Sequence, residues 1–493
     1  MIYLQKEDNV KLYTSIEKNR KLFEKTLGID VSFDVDVRRI TVLDTKVDIY
    51  FVTGLNDKDH VNIILKELLE LNDTDENKKK AYDIIENRIV NSQVEPVDRL
   101  QDAITEILSG LIVIVVDGSS RGFAIDVRSY PQRSPDEPDT EKVVRGSRDG
   151  YTENIIVNTG LTRRRIRDEN LRFEMIRVSG RGRQDVALAY IKDIADEELV
   201  KRLKHKIKHI SVDGLSMGEK SLEEFILDQS GNPFPLVRFT ERPDVAAAHL
   251  FEGHVLIMVD TSPSVIITPT TYFHHVQHAE EYRQSPTVGT FVRWIRFFGI
   301  FVSVFLLPLW LLFVLNPDLL PKELSYIGPN EEGNIPIVLQ VVLADIGVEF
   351  LRIAAIHTPT AVSTAMGLIA AVLIGEIAIE VGLFTPEIIL YVALSTMGAY
   401  ATPSYELSFA NKLARLMIIL LTAFLGVSGF VVGCTLYILF LTKTKSLETP
   451  YFWPFIPFNA KAMYNILFRV PVPRQITRPS ITHPQDVIRQ DVK

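Results

Sequence analysis

Apolar positions divide the chain into two unlike regions. From Trp294 to Leu315 (WIRFFGIFVSVFLLPLWLLFVL) the sequence is apolar apart from Arg296 at its entering end. With a rise of about 1.5 Å per residue, a helix of this length crosses a hydrocarbon layer about 30 Å thick. Apolar stretches recur at 361–383, 388–401 and 413–442, with a Thr385-Pro386 break between the first two. Residues 291–442 therefore read as a membrane domain of about four spans.

The preceding residues alternate differently. Helical spacing runs over 5–27 through Leu12, Ile16, Leu22 and Phe23. Period-2 alternation over 31–53, broken near Asp44, predicts a β-hairpin. Helices are expected near 58–72, 77–90 and 97–109, followed by two strands flanking Asp117-Gly118 (LIVIVVDG and GFAIDVRSY). These elements make an N-terminal subdomain at 1–130. Residues 131–149, rich in proline and charge, mark a linker. A second subdomain at 150–290 has a helix near 151–166, strands at 171–178 and 184–192, and helices at 195–208, 219–228 and 243–252. A strand pair, HVLIMVD and SVIITP, follows. No internal repeat is evident in the sequence. The expected architecture is a cytosolic α+β region of two subdomains followed by an α-helical multi-pass membrane domain. The basic, proline-rich tail at 443–493 is expected to be extended or partly disordered.

Polar positions inside the apolar region are the most informative ones. In 337–357, Asp345, Glu349 and Arg352 fall at i, i+4 and i+7 and form one polar stripe, opposite Val342, Ile346, Phe350 and Ile353. This pattern suits an amphipathic or re-entrant helix lining a pore or lying at the outer interface. The alternative is a helix tucked among others with an internal Glu349–Arg352 pair. In 361–383, Glu376 and Glu380 share a helical face. An ionised side chain near mid-membrane costs about 2.5–3.5 kcal/mol on insertion scales. Either these two glutamates line an ion path, or they lie near the inner interface with Glu380 snorkelling. Ser363, Gly367, Ala371, Gly375 and Gly382 align small residues on one stripe, which suits close helix packing.

Charge sets the orientation. Arg283, Arg293 and Arg296 precede the first span, and Lys443 and Lys445 follow the last, so both ends are expected on the cytosolic side. The loop 316–336, with Asp318, Glu323, Glu331 and Glu332 against Lys322, is then external. Lys412 and Arg415 fall on the outer side of this scheme, a conflict in an otherwise consistent arrangement. The N-terminal stretch has no apolar core or small-residue cleavage site of a signal peptide, so the leading region is expected to stay in the cytosol.

Composition narrows the chemistry. A net charge of −8 argues against a general nucleic-acid binder. The single cysteine, Cys434, excludes a disulfide framework and a cysteine zinc cluster. The basic run Arg163, Arg164, Arg165 and Arg167 suits an assembly or interdomain surface facing Asp168, Glu169 and Glu174, with anionic lipid heads or a nucleic acid as the other readings. His274, His275 and His278 lack a carboxylate-rich ligand motif, and Gly180-Arg181-Gly182 lacks the strand–helix context of a dinucleotide site. GxxxxGK[ST], HExxH and GxSxG are absent. No enzyme, metal or cofactor is expected.

Three blocks carry a family resemblance: EPDTEKVVRGSRDGYTENIIVNTGLTRRRIRDENLRFE at 137–174, FPLVRFTERPDVAAAHLFEGHVLIMVDTSPSVIITPTTY at 234–272, and ADIGVEFLRIAAIHTPTAVSTAMGLIAAVLIGEIAIEVGL at 344–383. In that order they resemble the GerA-type spore germination A-subunits, with Ser147 departing from the proline expected after Gly146. The resemblance implies a multi-pass protein of the spore inner membrane acting in germination. It also implies a ring oligomer whose membrane helices enclose an ion path, with the germinant held by a separate B-type subunit. Implied partners are lipids, further copies of the chain and other germination membrane proteins, including small membrane subunits and the dipicolinate-release system. A non-conducting scaffold that gathers these components is the alternative.

Overall fold

The computed structural model describes residues 10–73, 81–89, 91, 93–131, 141–227, 229, 231–329, 333–357, 362, 367–370 and 372–490. The chain forms two compact units. The first comprises Met1–Asp228, Val237–Pro269 and Val472–Lys493; the second comprises Gln229–Leu236 and Thr270–Pro471.

The first unit holds two five-stranded antiparallel sheets. Its first subdomain contains α1 (Ile16–Leu27), β1 (Val35–Val42), β2 (Thr45–Val52), α2 (Lys58–Glu70), α3 (Ala81–Arg88), β3 (Val94–Val97), α4 (Leu100–Leu108), β4 (Ile112–Val116) and β5 (Gly122–Ile125). The second contains α5 (Ile155–Arg165), β6 (Leu171–Val178), β7 (Gln184–Ile191), α6 (Glu197–Lys208), α7 (Glu219–Ile226), β8 (Arg238–Thr240), α8 (Pro243–Phe251), β9 (Val255–Val259) and β10 (Val265–Thr268). The strand orders, β1-β2-β4-β5-β3 and β6-β7-β9-β10-β8, are the same topology written twice. The expectation of no internal repeat is corrected here, because the architecture is a tandem duplication.

The duplication extends to single side chains. The Asn19 amide accepts from the Tyr13 N–H and donates to the Tyr13 carbonyl, both at 2.8 Å. Asn158 does the same with Thr152, at 2.8 and 2.6 Å. Asp117 accepts from the Ile16 N–H at 3.0 Å, and Asp260 from the Ile155 N–H at 3.1 Å. Each aspartate thus satisfies an orphan donor at a helix start, where the helix dipole also favours a carboxylate. These few polar equivalences hold the same junction in both subdomains.

The arginine run joins the subdomains. Arg163, 1% exposed, donates from Nε to Asp34 Oδ2 at 2.9 Å and packs over the Phe173 ring at 5.2 Å. Arg164 stacks on Tyr130, Arg167 donates to Ser109 Oγ at 3.2 Å, and Arg165 pairs with Asp149 at the end of the linker. The buried pair His249 and His254 stands behind the second sheet with ring centroids 5.0 Å apart. Burial, reinforced by the Arg238 guanidinium, holds both imidazoles below their usual range, His254 down to about 4.

The end of the tail differs from expectation. Ile481 and Thr482 are buried, Gln485 donates from its backbone N–H to the Ile194 carbonyl and from Nε2 to the Ala195 carbonyl, and Arg478 donates to the Phe251 carbonyl. Backbone acceptors left at loop ends give this low-hydrophobicity segment its docking partners, something composition alone does not register.

The second unit is helical: α9 (Ala279–Arg283), α10 (Pro286–Leu315), α11 (Ile337–His357), α12 (Pro386–Tyr400), α13 (Tyr405–Lys443) and α14 (Ala460–Leu467). Helical segments also occupy 367–370 and 372–380. α10 and α13 are long and apolar enough to cross a membrane. Yet α13 is not one rod. Gly426 has φ 57° and ψ −131°, a backbone region open to glycine, and the chain reverses there. Consequently Tyr437 Oη donates to Asn411 Oδ1 at 3.0 Å, which a straight helix would hold roughly 39 Å apart. Gly429 and Gly433 let the returning arm lie against Leu421 and Ile418. The expected single span at 413–442 is thus a helical hairpin.

Candidate functional site

The polar stripe of α11 faces the first arm of α13. Within that arm Tyr405, Ser408, Lys412 and Arg415 recur at three- and four-residue spacing, so they share one face and run antiparallel to Asp345, Glu349 and Arg352. Arg415 Nη2 donates to Asp345 Oδ1, and both side chains are at or below 1% exposed. Lys412 Nζ donates to Glu349 Oε2 at 2.6 Å and to the Asp345 carbonyl at 2.8 Å. Arg352 pairs with Glu349 at 2.7 Å and lies over the Phe409 and Tyr405 rings at 3.9 and 4.9 Å. Three cations thus meet two carboxylates. Glu349, Arg352, Thr396, Ser408, Lys412 and Arg415 line a small cavity of about 10 Å³, on the order of one water.

A distortion in α10 supplies one more partner. Residues Val302–Leu306 take the wider π-helical register, and Pro308 follows. In that i to i+5 register the Ser303 carbonyl would look to Pro308 for its donor, and proline has none. Arg415 Nη1 fills the gap, donating to Ser303 O at 2.8 Å. One turn earlier, α10 and α12 cross closely at Gly299 and Gly398. A Cβ on Gly398 would meet the Gly299 carbonyl oxygen at 2.3 Å.

The other acidic candidates are placed differently. Glu376 lies in a π-helical turn, Leu373–Ile377, and Glu380 in the turn after it. Both are exposed, and among the described residues neither makes an ion pair. Of the small-residue stripe, Gly367 and Gly375 face open space, while Gly382 sits beside Asn334 with φ +71°. Ser363 and Ala371 lie outside the described residues. Gly299–Gly398 and Gly429/Gly433 make close helix–helix contacts that sequence reading passed over. The Gly429–Gly433 spacing is a GxxxG signal that was available to find them.

At the entrance to α10, Glu281 is fully buried and pairs with Arg293 at 2.7 Å and with Arg296. Arg293 also donates to the Asn465 and Ile466 carbonyls, each at 2.9 Å. These two arginines, expected as flanking charges, are thus partly neutralised inside the fold. His274 caps a short helical turn by accepting from the Thr271 N–H at 3.0 Å. Among the described residues no group of three His, Cys, Asp or Glu side chains is arranged to hold a metal.

A family model for the Bacillus/Clostridium GerA spore germination protein matches residues 21–481. The chain belongs to the GerA family. It is 56% identical to stage V sporulation protein AF of Bacillus subtilis (strain 168), over 98% of this chain and 98% of that one. It is 28% identical to spore germination protein KA of the same organism, over 99% of this chain and 90% of the relative. To spore germination protein XA of Bacillus anthracis it is 30% identical, over 78% of each. The crystal structure of the N-terminal domain of the A subunit of the Bacillus megaterium spore germinant receptor GerK3 matches with 27% identity. That match has a TM-score of 0.42 and covers 53% of this chain and 97% of that domain.

In this GerA-family chain many large apolar side chains of the helical unit are turned outward. Phe298, Phe350, Leu368 and Phe424 are 67%, 68%, 71% and 83% exposed, while Asp345 and Arg415 lie inside. Water does not favour that arrangement; hydrocarbon does.

Proposed function

We propose that this chain is a multi-pass subunit of an oligomeric, ion-conducting germination complex in the spore inner membrane, working with germinant receptors and dipicolinate release. One observation carries the reading: a buried, charge-rich contact between α11 and α13 inside a unit whose outer face is apolar. The reading counts six crossings in that unit. They are α10, α11, the segment through 367–380, α12, and the two arms of α13 on either side of Gly426. An even number keeps both termini on the cytosolic side, in agreement with the basic flanks. Asp345 and Glu349 are committed to Lys412 and Arg415, so they fix the helix pair. The exposed Glu376 and Glu380 become the acids that neighbouring copies would bring to a shared axis. No enzymatic step is assigned to the chain.

The ion pairing also supports a second reading. A membrane scaffold needs rigid helix contacts and no open path, and the cluster provides such a contact. The two readings separate on one experiment. Purified chain in detergent is sized by mass photometry, then reconstituted in vesicles for an ion-leak assay with wild type and Glu376→Gln. A ring of several copies with an altered leak supports conduction. A monomeric particle, or a ring without leak, supports the scaffold.

A further inference from the structure

We infer that residues 452–469 form an anchor lying in the headgroup layer of an anionic membrane leaflet, on the side where α10 begins. The inference rests on the membrane reading above and assigns this segment a lipid partner. The segment follows the second arm of α13 and carries α14. Phe455, Phe458, Tyr464 and Phe468 are 53%, 71%, 57% and 36% exposed, although nothing in a water-soluble fold calls for four aromatic rings at its surface.

Two observations identify the occupant as lipid. The first is continuity. Trp294 Nε1 donates to the Leu467 carbonyl at 2.9 Å and stands edge-on to Phe468 at 5.5 Å, so the aromatic patch of α14 runs directly onto the exposed face of α10. Phe291 and Phe298, 61% and 67% exposed, extend it along that helix. A surface continuous with the apolar face of a spanning helix meets the same bilayer, and Trp and Tyr favour its interfacial zone. The second is charge. From Thr449 to Pro471 the sequence has no Asp or Glu, while Lys461 and Arg469 are basic. Aromatic anchors flanked by basic residues suit an anionic headgroup layer, which attracts cations near its surface. The buried Arg293 ties α14 to α10 through the Asn465 and Ile466 carbonyls, which fixes the patch at the entrance of the span.

The test uses the full chain. Cys434→Ala removes the single native cysteine, and one new cysteine is placed at Phe458, Tyr464, Val431 or Met217. Each variant is labelled with an environment-sensitive fluorophore and reconstituted in phosphatidylcholine vesicles with and without phosphatidylglycerol. At 458 and 464 we expect blue-shifted emission, stronger quenching by a shallow than by a deep spin-labelled lipid, and greater shielding from aqueous iodide when phosphatidylglycerol is present. The label at 217, on an exposed residue of the first unit, should quench freely with iodide. The label at 431 reports the membrane reading by itself. If 431 is quenched by lipid-borne probes while 458 and 464 quench with iodide as 217 does, the anchor is overturned and the membrane reading stands. Shielding at 458 and 464 that disappears on diluting protein in lipid, without lipid-borne quenching, also overturns it and points to a second copy. Loss of lipid quenching at 431 would sink the membrane reading itself.

Discussion

Arg415 reaches two helices at once, donating from Nη2 to the Asp345 carboxylate on α11 and from Nη1 to the Ser303 carbonyl at 2.8 Å on α10. A single guanidinium thus closes a carboxylate stranded among apolar helices and a carbonyl orphaned by Pro308. Breaking such a buried pair costs more than forming it gains, because the surviving charge stays buried without its partner.

Removing one member should therefore be worse than removing both. Asp345→Asn or Arg415→Met is expected to destabilise the helical unit by about 3–5 kcal/mol, whereas the double variant Asp345→Leu/Arg415→Met recovers most of that loss. Unfolding followed by tryptophan emission in detergent measures the cycle. Equal destabilisation in the double variant would mean that the pair is incidental to the packing.

The glycine contacts predict a sharp contrast. Gly398→Leu drives a side chain into the Gly299 backbone and should cost at least about 1–3 kcal/mol, by the usual penalty of overpacking. Gly375→Leu meets open space within the chain and should leave monomer stability unchanged. If position 375 faces another copy, the same substitution will shift the mass-photometry distribution toward smaller particles. The two readouts are independent.

The duplicated polar junction predicts matching losses. Asn19→Ala and Asn158→Ala each remove the partner of a part-buried N–H and carbonyl, at a cost of about 0.5–1.5 kcal/mol per hydrogen bond lost. Hydrogen exchange on the full chain should show faster opening confined to the subdomain that carries the substitution. Opening that spreads equally through both would contradict two separately locked repeats.

Acid should loosen the second subdomain. His254 titrates near 4 in the fold against about 6.5 unfolded, so below pH 6.5 the unfolded chain binds the extra proton first. Stability from this group is complete above pH 6.5 and drains away as pH falls toward 4, by about 3 kcal/mol in all. Half-buried Glu252, whose carboxyl is pushed up by desolvation, contributes with the opposite sign. His254→Gln isolates the histidine. Denaturant unfolding at pH 7.5 and 5 should show a smaller pH dependence in the variant than in the parent.

Much of the first unit's fold was legible because hairpins declare themselves locally. The alternation over 31–53 resolves into β1 and β2, and the residues around Asp117-Gly118 into β4 and β5. The duplication was not legible, since its strongest markers are four residues (Asn19, Asp117, Asn158 and Asp260) whose pairing exists only in space. In the helical unit the stripe of Asp345, Glu349 and Arg352 was readable from its spacing. Its partners were visible too, but Lys412 and Arg415 looked like charges on the wrong side of a span. They are the counter-ions of that stripe, carried on a helix that ends at Gly426. A glycine within a continuous apolar run gives no sign of a reversal, because hydropathy records composition and is blind to φ.

The claim that matters most is that Glu376 and Glu380 face a water-filled path built by several copies. Single cysteines at these positions, in the Cys434→Ala background, are reconstituted in vesicles and treated with a charged, membrane-impermeant thiol reagent while ion flux is recorded. Reaction at both positions, with flux falling as the reagent couples, is the predicted result. Flux that continues unchanged over thiols that never react would contradict the account.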